Sequence, residues 1–323
     1  QAQVIADAIN NNNPNLQGTP NGFHNGFIDL GFKDPSFTSS FEVKIYDCAG
    51  RNSQLTVDDE KDCDSGSAEH RHIFMPSTTY CTQSEVDIRK VVGHELFHHV
   101  EFAYIGFNDW INWGRTPVEG SARMMEDHVY FDLEDHWRYL DQVRRYLDNP
   151  NQDFWDASYS AALGWKYAAE QYGQMATEPS IGVDFVRSFW ENAEENNSSP
   201  NTPDTFEQTI QEFDNDSSLS DWFHDFSIAN IAKEFDVSGL IDASKYQYID
   251  ENDGTGVTYS NVARAVVGVP PLSGTEVSNW VTVDGEDVNQ GSDLRSWGAQ
   301  YYEARNLITS CPRGSVVGFR GQS

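Results

Sequence analysis

His94-Glu95-Leu96-Phe97-His98 sets two imidazoles four residues apart, with a carboxylate directly after the first. On a helix, residues i and i+4 share one face, so both rings can reach a single ion. Glu95 falls beside them and can take a proton from a water activated by that ion without occupying it. A polar stripe on a surface helix would carry the same letters. Behind apolar Val91-Val92, however, two His and a Glu are costly to bury without a partner. A catalytic zinc takes three protein ligands and leaves one position open for water. The candidate third ligand is Glu119, in Val118-Glu119-Gly120-Ser121-Ala122, with twenty residues between it and His98. That length lets one helix end, a loop carrying Trp110 and Trp113 turn, and a second helix return. Thr116 and Glu119 also spell a capping box, in which the carboxylate would merely tie down its own helix start. His99 is a rival ligand, but it is rotated about 100° from His98 around the helix. It reads as packing or as a hydrogen-bond partner.

Thr82 followed by Glu85 is a helix-start signature, and the helix carrying the motif should stop near Gly106. Thr116-Pro117 offers the next start. Further helices are expected from Asp132 to before Pro150, and over 161–172, 182–195, 203–213 and 219–235, with Trp222, Phe223 and Phe226 in the core. Upstream, Phe27–Phe32 and Phe41–Tyr46 read as strands. Downstream, 257–259, 280–283, 300–304 and 315–319 are short, strand-like and separated by Gly, Asp and Ser. The expected organisation is a β/loop N-terminal part over 1–81, a helical zinc-binding core over 82–236 and a β-rich C-terminal region over 237–323. The expected fold class is α+β.

The chain has 51 acidic against 21 basic residues and a formal net charge of -30. Such a surface repels phosphate backbones and argues against nucleic acid or anionic membranes as partners. No apolar stretch is long enough to span a bilayer. Four widely spaced cysteines, Cys48, Cys63, Cys81 and Cys311, suggest two disulfides in an oxidising compartment, with Cys48–Cys63 and Cys81–Cys311 as the preferred pairing. The Gln1-Ala2-Gln3 opening reads as a mature end left by signal-peptide cleavage, so a secreted protein is expected. The acidic loop from Cys48 to Ser67 offers carboxylates to Ca2+ but lacks an EF-hand pattern, and a solvated loop is the plainer reading.

With His94-Glu95-x-x-His98 and a downstream Glu119-x-x-Ala122, the chain resembles the gluzincin clan of zinc peptidases. The run from Gly93 through Asp127 is most similar to a group of secreted bacterial metallopeptidases, and the resemblance extends weakly through Ala157–Gly173. It implies a Zn2+ enzyme, in which Glu95 takes the proton of the attacking water and passes it to the leaving amine. It also implies a Tyr or His at the tetrahedral oxyanion. Tyr159, in Tyr159-Ser160-Ala161-Ala162, fits best, although Ala162 stands where relatives carry Gly; Tyr167 and His128 fit less well. A carboxylate should orient a ligand imidazole, but the position four after the ligand Glu is Arg123. Glu126 and Asp127 are the nearby alternatives. No Gly-x-Met-Glu-Asn motif precedes His94, which favours an endopeptidase over an aminopeptidase. Its protein or peptide substrate would pair with an edge strand such as His72–Met75. A monomer is expected. The alternatives are an aminopeptidase or glycopeptidase, and a non-catalytic binding protein on a peptidase fold.

Overall fold

The structure is a computed structural model. It describes residues 2–10, 22–35, 42–46, 56–57, 72–76, 85–129, 152–177, 180–232, 243–246, 281–284, 297–299 and 302–305. Cys48, Cys63, Cys81 and Cys311 lie outside the described residues, as does the acidic loop apart from Thr56–Val57. The expected disulfides and calcium site lie there with them, and so does the helix expected after Asp132.

The described body is built from helices: α1 (Ala2–Asn10), α2 (Gly22–Asp29), α3 (Glu85–Ile105), α4 (Phe107–Trp110), α5 (Arg115–Val129), α6 (Ala162–Tyr172), α7 (Val183–Glu195), α8 (Thr202–Phe213) and α9 (Leu219–Ala232). None of the described helices is long and apolar enough to cross a membrane. The α+β expectation is corrected here: the described residues are mainly helical, the N-terminal part opens with two helices, and among its described residues it is not β-rich. Residues 27–32, read as a strand from their apolar run, instead finish α2 and its C-terminal turn. Phe23 and Phe27 are one helical turn apart and buried. Phe27 meets Phe97 of α3 edge-on at 5.3 Å, and Phe32 meets the same ring at 5.2 Å. A short apolar run does not declare its own period. Here the helical one wins because it aims these rings at α3.

The strand segments are small. Glu42–Tyr46 pairs in parallel with His72–Pro76, and Thr56–Val57 pairs antiparallel with its other side. His72–Pro76 is therefore the middle strand of three, not the free edge expected to receive a substrate. Downstream of the helices, Val281–Asp284 and Tyr302–Arg305 form a parallel pair of four residues each.

The corner between α3 and α5 depends on two glycines. Gly106 (φ +72°) ends α3, and Gly114 (φ +80°) precedes α5. Both are backbone settings that side chains rarely adopt. Behind this corner, α6 to α9 close around a continuous aromatic core. Trp165 packs edge-on against Phe189 at 4.8 Å and Phe206 at 5.0 Å, and Phe206 lies 4.8 Å from Trp222. Trp222 stacks on Phe226 at 5.6 Å. Trp297 reaches the same body, accepting a backbone hydrogen bond from Phe154 at 3.1 Å.

Candidate metal centre

Helix α3 carries His94 and His98 one turn apart, and α5 packs across it to return Glu119. All three are buried. Their ligand atoms meet at one point. His94 Nε2 is 3.1 Å from His98 Nε2 and 3.3 Å from Glu119 Oε2, and His98 Nε2 is 3.7 Å from Glu119 Oε2. Donors about 2.0–2.1 Å from a tetrahedral ion are separated by edges of about 3.4 Å. The group thus has the size and donor set of a metal site, and it is compatible with a metal ion.

The backs of the rings strengthen this. His94 Nδ1 stands 2.8 Å from Glu126 Oε1, and His98 Nδ1 stands 2.8 Å from Glu101 Oε2. The first contact is an ion pair lying off the hydrogen-bond line. The Glu101 hydrogen bond places the His98 ring proton on Nδ1 and leaves its Nε2 as a bare lone pair, and the Glu126 charge beside His94 Nδ1 favours the same tautomer there. Two such lone pairs and a carboxylate oxygen then face one another in a buried site, an arrangement that positive charge satisfies.

The titration behaviour follows. Burial alone would depress both imidazoliums. Glu119 and Glu126 overcome it for His94, whose pKa is raised, while Glu101 and Glu119 push His98 well above its ordinary value. Burial would raise Glu119, but hydrogen bonds and charge from the two His hold it well below the carboxylate range. Without a cation the cluster therefore favours protons on its imidazoles.

The structure answers several questions left open by the sequence. Thr116 makes no capping box with Glu119, because its hydroxyl donates to the carbonyls of Trp155 (2.7 Å) and Phe154 (3.1 Å) and accepts from Ser158 N (3.2 Å). It fastens α5 to the segment that leads into Tyr159. Gly120 permits the close approach: a Cβ there would sit 2.8 Å from Trp165 Cδ1 and 3.2 Å from Ala161 Cβ. The Glu-Gly pair thus joins a candidate ligand to the packing that places it. Glu126 supplies the carboxylate behind His94 and is itself held by Arg123 Nη1 at 2.7 Å. His99 is buried against Phe102, ring to ring at 5.3 Å, and is not in the ligand cluster.

Glu95 is buried beside the cluster, and burial, its largest influence, raises its carboxyl above the ordinary value. The Tyr159 ring lies 5.6 Å from that of His94, and burial, with Glu119 nearby, raises its phenol well above the ordinary value. The Arg123 guanidinium sits 5.2 Å from the same ring. Ser158, just before Tyr159, holds φ at +53°, a left-handed setting unusual for a non-glycine residue. Tyr167, the weaker alternative, donates instead to the Lys245 carbonyl and packs on Phe226. The side chain of His128 lies outside the described residues.

Sequence reading missed Glu101. It follows His98 by three residues, on the same face of α3, and that spacing was the available signal.

No protein-family model, curated protein or solved structure matches this chain. The case for a metal centre rests on its own geometry.

Proposed function

We propose that the chain is a zinc-dependent hydrolase, and within that class a secreted endopeptidase. The observation carrying this reading is the convergence of His94 Nε2, His98 Nε2 and Glu119 Oε2 at separations of 3.1, 3.3 and 3.7 Å, with Glu95 next to the first ligand. Two imidazoles and one carboxylate suit zinc, and three protein ligands leave a vertex for solvent. When bound, zinc supplies a Lewis acid that polarises a carbonyl and acidifies a water. Glu95 takes the proton of the attacking water and hands it to the leaving amine. Burial raises its carboxyl toward the working pH, where accepting and returning a proton are better balanced. Tyr159 donates its hydroxyl hydrogen to the developing oxyanion. Burial, reinforced by the charges of Glu119 and Glu95, keeps that phenol protonated well above the usual range.

Glu95→Gln tests the assignment, because it keeps the shape and removes the base. Metal analysis should find one zinc per chain in both proteins. Hydrolysis of N-blocked peptides should fall by about 100- to 10,000-fold in the variant. Undiminished turnover would remove Glu95 from its role. A wild-type chain that refuses zinc would overturn the whole reading.

A further inference from the structure

Glu101 is fully buried at the centre, and the proposed chemistry does not use it. Its carboxylate collects donors from three helices. Oε2 faces His98 Nδ1 of α3 at 2.8 Å and accepts from Trp110 Nε1 of α4 at 2.8 Å, while Oε1 accepts from Ser121 Oγ of α5 at 3.1 Å. A buried carboxylate is costly unless its lone pairs are filled, and here donors from outside the helix itself fill both oxygens. Glu126, behind His94, differs in drawing its other partner, Arg123, from its own helix.

We propose that Glu101 is a positioning residue that sets two metal ligands at once. Oε2 fixes the His98 tautomer and ring angle, so that Nε2 presents its lone pair to the ion. Oε1, through Ser121, pins the turn of α5 that carries Glu119 two residues earlier. Trp110 closes the arrangement, its ring edge-on to His98 at 5.2 Å. This rests on the metal reading above.

The test is zinc affinity of the full chain, measured by chelator competition. Glu101→Gln should weaken zinc about 10- to 100-fold. Ser121→Ala should weaken it by a smaller factor. The double variant should lose less than the product of the two, because Ser121 acts through Glu101. The cobalt(II)-substituted protein should show shifted ligand-field bands in Glu101→Gln, a readout that loss of stability alone would leave in place. Wild-type zinc affinity and unchanged bands in Glu101→Gln would overturn the proposal while leaving the metal site standing. Absence of zinc binding by the wild type would overturn both. If Glu101→Gln does not fold, Ser121→Ala decides: weakened zinc supports the link, and unchanged affinity and bands overturn it.

Discussion

The metal face and the aromatic core of this helical body are comparably buried, yet opposite physics holds them together. Around α3 and α5, His94, Glu95, His98, Glu101, Glu119 and Glu126 are all buried polar or charged groups. Around α6 to α9, Trp165, Phe189, Phe206, Trp222 and Phe226 are fully buried apolar rings. The core gains free energy whenever water leaves it. The metal face gains only if charge balances there, so it is a candidate site because it makes no sense as packing. Gly120 is the seam between them, with the candidate ligand Glu119 on one side and the Trp165 ring on the other.

Trp222→Ala presses hardest on this contrast. It should destabilise the apo-protein by about 3–5 kcal/mol in denaturant unfolding, while the folded fraction keeps its metal stoichiometry. Loss of metal from the folded variant would show the two regions to be one. Gly120→Ala strikes the seam and should do both. Overpacking against Trp165 should cost about 1–3 kcal/mol, with weaker metal binding because the displaced turn carries Glu119. A variant as stable and as tight as wild type would dissolve the seam.

The gentlest probe is pH. With His98 raised and Glu119 lowered, the apo-protein draws its cluster stability from a window between two ordinary values. The His contribution is complete below 6.5 and fades as pH rises through the raised folded pKa. The Glu119 contribution is complete above 4.5 and fades as pH falls through its lowered folded pKa. Metal needs both Nε2 atoms unprotonated, so its affinity should rise with pH by up to roughly tenfold per unit for each proton displaced. Titration calorimetry in buffers of different ionisation heat counts those protons. Metal binding without proton release would contradict the charge picture, whereas the aromatic core should respond to none of this.

Much of the metal face was legible because it depends on local periodicity. His94, Glu95 and His98 share a helix, so spacing alone puts them together. Glu119 could be reached by counting the residues needed for a turn. The aromatic helices could be found because Trp222 and Phe226 recur at helical spacing. The misreadings share one cause, that neighbours were missing. Phe27–Phe32 looked like a strand until α3 supplied the surface against which Phe23 and Phe27 form a helical face. His72–Met75 looked like a free edge until Glu42–Tyr46 and Thr56–Val57 took its two sides.

The sequence by itself determined the chemistry on offer: two imidazoles one turn apart, a carboxylate between them and another downstream. Only the tertiary structure decided which carboxylates stand behind the imidazoles. Glu126 reached that place despite Arg123 occupying the expected position, and Glu101 reached it from one turn further along α3. The physical reason is that only Glu101 lies within a turn of the ring it backs, whereas α4 and α5 bring Trp110, Ser121 and Glu126 to α3 from positions that no local pattern on α3 encodes.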